Sequence, residues 1–443
     1  MNRKIKFCTA AVLAAAFLSA GLLPAYGQEK YDYINISEPF TNKIPMAVPV
    51  FMALSGAEAE KETAGSATAM MQEAFEYTGY FKMIDRLAFL EEPAEKGITP
   101  DDINFKNWRD IGAELLITGG VREKAEVIQM EFRLFDPFRE HVLIGKRYTG
   151  SEADQREMVL KFCGEVIGRL TGKKGLFESR IAFGGEAEGG KAVYVCDFDG
   201  RNLRRVTEPE EIVVSPSWSP DGRHIAYTAY SEDRPRIYVH DLRAGENSLF
   251  AGHEGINITP AWRPDGNGLA ATLSFEGDED IYFLTEDGKV DKKLTNSWGV
   301  DVSPSFSPDG KQMAFVSNRS GSPQIYVMDL ESDSVKRLTY EGRYNTQPEW
   351  SPVSDEIAFS GMKDGETNIY VIDAESGENT RLTEGRGSNE APSWSPDGSM
   401  IVFSSNRDGR ARLYLMTASG TDQRSLVDMD GTQKLPDWSG PVK

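Results

Sequence analysis

PSWSPDGSMIVFSSNRDG, residues 392–409, sets two prolines, a tryptophan and an Asp-Gly turn around a short apolar run. The arrangement recurs at a fixed step. Trp218, Trp262, Phe306, Trp350, Trp394 and Trp438 stand 44 residues apart, as do Pro216, Pro260, Pro304, Pro348, Pro392 and Pro436. Tyr194, Tyr238, Tyr282, Tyr326, Tyr370 and Tyr414 keep the same spacing, and residues 180–443 make six such units without an insertion. Each unit carries four strand-like runs, represented by residues 216–220, 225–227, 325–329 and 336–339. Pro-Asp-Gly joins the first two runs, at Asp221-Gly222, Asp265-Gly266, Asp309-Gly310 and Asp397-Gly398, and is a tight-hairpin signal. Four short strands per unit, with no helical patterning, predict a six-bladed β-propeller.

The prolines fit that reading. Proline cannot donate to a ladder, so it belongs on an edge, and the first strand of a blade lines the central channel with one edge free. The tryptophan between them is expected to pack between neighbouring blades, as large aromatics at repeat positions do. The sixth anchor, Leu435–Ser439, has no blade after it, and 44 residues before Trp218 lies Lys174, in a stretch that is not an inner strand. The C-terminal strand is therefore expected to become the inner strand of the first blade, beside Arg180–Gly184, closing the ring.

Residues 1–27 read as a secretory signal, with Arg3, Lys4 and Lys6 before an apolar core and small residues at a cleavage point near Gly27. They imply export from the cytoplasm. Their removal takes three positive charges from a chain of net charge −20, leaving −23, which disfavours nucleic acid and anionic lipid as partners. No retained membrane span is expected. Cys163 and Cys196 remain, enough for one bridge in an oxidising compartment. Cys163 falls on the apolar stripe of a helix, the position of a buried thiol. Residues 28–172 lack the repeat. They read as a small α/β domain: a strand over 43–51, a helix over 64–78, strands over 113–123, 127–136 and 141–148, and a closing helix over 154–172 ended by glycine. The propeller then occupies 173–443.

The sequence has no nucleophile elbow, no His-Glu-x-x-His, no phosphate loop and no Cys-x-x-Cys, so no catalytic, metal or cofactor site is assigned. Carboxylates or histidines converging in the channel from separate blades would leave no local motif. A periplasmic propeller hydrolase or lyase, or a small-ligand receptor, is the competing class.

The repeats resemble those of the TolB family, the periplasmic propeller proteins of the Tol-Pal envelope system. The segments NWRDIGAELLITGGV (107–121), LTGKKGLFESRIAF (170–183) and DGTQKLPDWS (430–439) are similar to that family's junction and closing segments. The resemblance implies a binding protein rather than an enzyme. It would hold the peptidoglycan-associated lipoprotein Pal on one propeller face. It would contact an inner-membrane Tol protein (TolA-like) through an extended N-terminal segment, where Tyr33, Ile34 and Ile36 alternate with polar residues. The role implied is in outer-membrane integrity and cell division.

Strand direction sorts the loops onto two faces. One carries uniform Pro-Asp-Gly turns; the other carries varied loops, where recognition is expected. Asn257, Asp301, Asn345 and Asn389 each stand three residues before a leading proline. Each can cap its own turn or supply hydrogen bonds to Pal. His253, Trp298, Arg343, Tyr344 and Arg386 lie just upstream and are of types that dominate interfaces. The Pal site is expected here.

Overall fold

The computed structural model describes residues 43–210, 212–231, 234–385 and 387–441. The signal segment and the stretch containing Tyr33, Ile34 and Ile36 lie outside them, as does Arg386.

The N-terminal part is a sheet of order β3-β1-β4-β5-β6, from β1 (Ile44–Ala47), β3 (Phe81–Met83), β4 (Leu115–Lys124), β5 (Val127–Asp136) and β6 (His141–Gly150), with β2 (Met52–Ala53) beside β4. β1 is parallel to β3 and β4; β4, β5 and β6 run as antiparallel neighbours. α1 (Glu58–Tyr77) presents Ala64, Ala67, Met71, Ala74 and Phe75 at helical spacing to a core shared with Met46, Ile117, Phe132, Phe162 and Val166. It starts six residues before the expected helix because its first turns are largely polar and carry no apolar stripe. The opening strand stops at Ala47, ahead of Pro49, rather than running to Phe51. α2 (Pro93–Lys96) and α3 (Phe105–Asp110) follow β3, and Phe105 and Trp108 of α3 enter a second cluster with Ala47, Leu116 and Phe135. α4 (Gln155–Thr171) ends at Gly172, whose φ of 75° is the left-handed cap a glycine accepts. Cys163 and Cys196 are both free and buried.

Six four-stranded antiparallel sheets follow, and the first is ordered Gln433–Trp438, Arg180–Ala187, Gly190–Asp197, Arg204–Arg205. Trp438 pairs with Ile181 and Gln433 with Gly185, so the C-terminal strand closes the ring as the sequence predicts. The strands are longer than their motifs. The inner strand of blade 2 is Val213–Trp218, and its second strand is His224–Ser231.

Each inner strand is broken by a bulge just before its leading proline. The pre-proline residues Ser215, Thr259, Ser303, Gln347, Ala391 and Leu435 all have φ between 49° and 56°. A left-handed non-glycine costs on the order of 1 kcal/mol or more, yet the conformation recurs in every blade. Its return is hydrogen bonding between blades. The Ala391 N–H donates to Gln347 Oε1 (3.0 Å), the Ser303 N–H to Thr259 Oγ1 (3.3 Å) and the Leu435 N–H to Ser404 Oγ (3.1 Å), each acceptor in the preceding blade. The tryptophans act likewise. The indoles of Trp218, Trp262 and Trp394 donate to the carbonyls of Asp437, Ser217 and Glu349, each at 3.1 Å. Trp438 donates to Ser179 Oγ at 2.7 Å.

The N-terminal domain sits on the hairpin face of blades 1 and 6. Arg156 bridges Asp197 (3.2 Å) and Asp199 (2.7 Å), and the Tyr77 hydroxyl donates to the Phe198 carbonyl at 3.1 Å. The Arg424 guanidinium lies 4.0 Å over the Tyr77 ring.

Trp438 anchors the closing strand, so Trp438→Ala should cost about 3–5 kcal/mol. Removing residues 433–443 should abolish cooperative melting and solubility. Thermal melts by circular dichroism, with the soluble fraction, test both. A truncated protein with the full-length melting temperature refutes the closure.

Candidate functional site

The registers place the two loop sets as strand direction predicts. Asn257 pairs with Leu273 at one end of blade 3 and Trp262 with Leu269 at the other, so the varied loops share the mouth away from the Pro-Asp-Gly hairpins. This mouth is the face that the N-terminal domain leaves open.

The aromatic side chains expected here are presented to solvent. Trp298 is 74% exposed and Tyr344 53%, and Arg343 is exposed beside it. His253 is half-buried, its ring against Phe275 at 5.3 Å. Four neighbours were not singled out by the sequence: Tyr340, 72% exposed, with Phe275, Val300 and Met362. Val300 and Tyr340 lie within three residues of positions already marked, whereas Phe275 follows the second strand of blade 3 and Met362 lies at the end of the second strand of blade 5, and exposure of a large apolar side chain has no signature in a single sequence.

The Asx row requires a correction. Asn257, Asp301, Asn345 and Asn389 are buried and spent internally. Asn257 accepts the His253 N–H at 2.9 Å and donates to the His253 carbonyl at 2.8 Å; Asn345 donates to the Glu341 carbonyl at 2.7 Å. Asp301 takes Arg319 at 2.8 Å, and Asn389 takes Arg407 at 2.8 Å. These side chains cap the rim loops and set their shape. Buried as they are, they do not form an exposed row of hydrogen-bonding groups along the rim.

The second feature is the channel. Ser217, Ala261, Ser305, Glu349, Ser393 and Asp437 occupy the position before each anchor aromatic, one per blade. At Ser305 and Ser393 the hydroxyl accepts the next blade's anchor N–H, at 2.9 Å from Trp350 and from Trp438. Asp437 does the same for Trp218 at 2.6 Å. Glu349 and Asp437 are the only titratable residues lining this cavity among the described residues. Protein surrounds both although each keeps some contact with channel water. Burial pushes the Asp437 carboxyl up to about 7, against the lowering effect of the Trp218 N–H. Burial, then the Asp437 charge, pushes Glu349 well above the usual carboxylate range. The sequence reading missed this pair, though a carboxylate at a position otherwise held by serine or alanine was the available signal. Among the described residues no cluster of three His, Cys, Asp or Glu side chains is placed to hold a metal ion. No described helix is long and apolar enough to cross a membrane.

These features define a two-domain protein: a six-bladed propeller with a buried carboxylate pair in its channel, an α/β domain on its hairpin face, and a free aromatic mouth on the other. Residues 32–143 match the TolB amino-terminal domain and residues 167–442 the TolB beta propeller domain. The chain belongs to the TolB family. It is 52% identical over 228 residues to a Tol-Pal system protein TolB of Desulfosudis oleivorans, covering 52% of each chain. It is 37% identical over 243 residues to one of Syntrophus aciditrophicus, covering 54% of this chain and 52% of the other. In both cases the match spans about half the length of the relative. The crystal structure of TolB from Acinetobacter baumannii is similar over 90% of this chain and 97% of that one, with a TM-score of 0.78 and 26% identity.

The carboxylate pair gives a signed pH dependence. The folded pKa of Asp437 lies above its unfolded value of about 4, so the native state holds more protons. Stability is therefore greatest below pH 4 for this pair and falls as pH rises towards 7. Asp437→Asn, which keeps the acceptor for Trp218, should unfold like wild type near pH 4.5 and be about 2 kcal/mol or more the stabler at pH 8. Urea unfolding at the two pH values measures it. A constant difference between the proteins refutes the assignment.

Proposed function

We propose that this chain is a non-enzymatic, periplasmic binding component of a Tol-Pal system, which holds the peptidoglycan-associated lipoprotein Pal at its aromatic mouth. The observation that carries the proposal is the opposition of the two faces. The hairpin face is occupied at blades 1 and 6 by the N-terminal domain. The other exposes Trp298, Tyr340 and Tyr344 on rim loops held by buried caps. Rigid aromatic side chains on a preordered rim bind at little entropic cost. The family membership supports Pal as the occupant. It also supports the segment around Tyr33, Ile34 and Ile36 as the contact for an inner-membrane Tol protein of the TolA type, and a role in outer-membrane integrity and cell division.

The channel pair favours a second reading, a hydrolase or lyase using Glu349 and Asp437 as acid and base. Against it, Asp437 is committed to the Trp218 N–H and so serves as a ligament between blades. The hydrogen bonding of the neighbouring serines points the same way, towards ring assembly.

Double substitution of Trp298 and Tyr344 by alanine should weaken Pal binding by about 2 kcal/mol per anchor. The pair Asp221→Ala and Asp309→Ala on the hairpin face should leave it unchanged. Calorimetric titration with Pal decides. Loss in the hairpin pair with retention in the rim pair would place the site on the wrong face. Deleting residues 28–38 should abolish binding to the inner-membrane Tol partner while Pal still binds. Pull-down with each partner checks this, and unchanged Tol binding retires the assignment.

A further inference from the structure

Three blades fill a slot at the mouth that blade 5 leaves open. In blade 4, Arg319 lies over Phe315 (5.4 Å) and Tyr326 (5.2 Å), its Nε donating to Ser317 Oγ and its Nη2 to Asp301 Oδ2, both at 2.8 Å. Arg407, 88 residues on, repeats this in blade 6 over Phe403 (5.4 Å) and Tyr414 (4.6 Å), with Nε to Ser405 and Nη2 to Asn389 Oδ1. Blade 3 fills the same place with Phe275, whose ring stands 5.2 Å from Tyr282. In each of these blades the third-strand tyrosine is buried.

Blade 5 has the aromatic floor without the cover. Phe359 and Tyr370 stack at 5.5 Å, but the residue in register with Arg319 and Arg407 is Lys363, which reaches away to Glu341 at 2.9 Å. Tyr370 is left half-buried beside a small pocket. The pocket is walled by Asn345, Gly361 and Met362 and rimmed by Glu341. Asn345 uses its Nδ2 on Gln324 and on the Glu341 carbonyl. Its Oδ1, the atom that takes the guanidinium in blade 6, is turned to the space over Gly361, where a Cβ would lie 3.1 Å away. Glycine stands at 361 in place of the serine of blades 4 and 6, because a Cβ there would come within 2.7 Å of the Tyr370 ring. The Glu341–Lys363 pair is solvent-exposed, so exchanging its cation costs little.

We propose that this pocket takes an arginine side chain from the protein that covers the rim. The guanidinium lies over Tyr370, with one N–H on Asn345 Oδ1 and its outer edge on Glu341. It completes in trans the arrangement that Arg319 and Arg407 complete in their own blades. Lysine fits less well, since its ammonium lacks the planar fork that covers a ring and reaches a side acceptor together. The identity of the covering protein as Pal rests on the reading above; the slot does not.

The slot is tested without any partner. N-acetyl-arginine amide should shift the NMR signals of the Asn345 side-chain amide, Gly361 and the Met362 methyl, while N-acetyl-lysine amide should not. Lys363→Arg, which supplies the guanidinium in cis, should abolish the response. Equal shifts from both amides, no shifts, or an unchanged response in Lys363→Arg overturns the slot. With Pal as the probe, Lys363→Arg should weaken binding about tenfold, the effect of one lost cation–π contact with its hydrogen bond. Lys311→Arg on the hairpin face serves as the control. Unaltered Pal affinity in Lys363→Arg removes Pal as the donor of the arginine, and failure of the wild type to bind Pal removes only the Pal reading.

Discussion

The ring depends on backbone N–H groups that each inner strand withholds from its own sheet. A regular strand would spend them within the blade. In blades 1, 4 and 6 the pre-proline bulge turns one N–H towards the preceding blade, and Ser305, Ser393 and Asp437, each just before an anchor aromatic, accept the anchor N–H of the next. Each blade is thus tied to its neighbour by hydrogen bonds as well as by the packed indole. Both lie near the axis, where the blades come closest and a small rotation would break most contacts. The same geometry explains why the proline follows the left-handed residue. It has no N–H to be orphaned in the bulge, and its ring fixes the chain's exit.

Closure uses this mechanism once more across the chain ends. Leu435 donates to Ser404 and Trp438 to Ser393, so the C-terminal strand docks on blade 6 as Ala391 docks on Ser360 and Trp350 on Ser305. Its acceptor to the next blade is the Asp437 carboxylate, meeting the Trp218 N–H in place of the serine hydroxyl that serves Trp350 and Trp438. That exchange makes the closing seam sensitive to pH, because a buried carboxylate opposite a second one cannot ionise freely. A serine would do the same structural work without this sensitivity.

Periodicity made most of the fold legible in the sequence. The 44-residue step fixed the number of blades, the hairpins and the closing strand, because every blade must present the same side chains to the axis. Boundaries were less legible. The inner strands begin before their prolines, in four blades at the buried polar residues Asn257, Asp301, Asn389 and Gln433, whose polarity reads as loop, and the bulge cannot be seen because serine, threonine, glutamine, alanine and leucine all occupy it. The mouth was legible in part. Trp298 and Tyr344 stood out by type, and the structure leaves them exposed. Asn257 and its counterparts stood out by recurrence, and recurrence marked a structural duty, the capping of loops.

That contrast gives a rule for reading repeat proteins. A residue held in every copy answers a demand that every copy shares, and in a closed ring the shared demand is assembly. What distinguishes one part of the ring from another lies in the exceptions. Glu349 and Asp437 replace small side chains in the channel, and Lys363 with Gly361 replaces the arginine and serine of blades 4 and 6. Each exception leaves something unsatisfied: a charge without a cation in the channel, an aromatic face without a cover at the rim. The scaffold tolerates them because its neighbouring seams are complete, so the energy of the intact blades holds an unsatisfied group in place. In this chain the exposed aromatic side chains of the mouth, Phe275, Trp298, Tyr340 and Tyr344, gather on blades 3 to 5, on the face that the N-terminal domain leaves free.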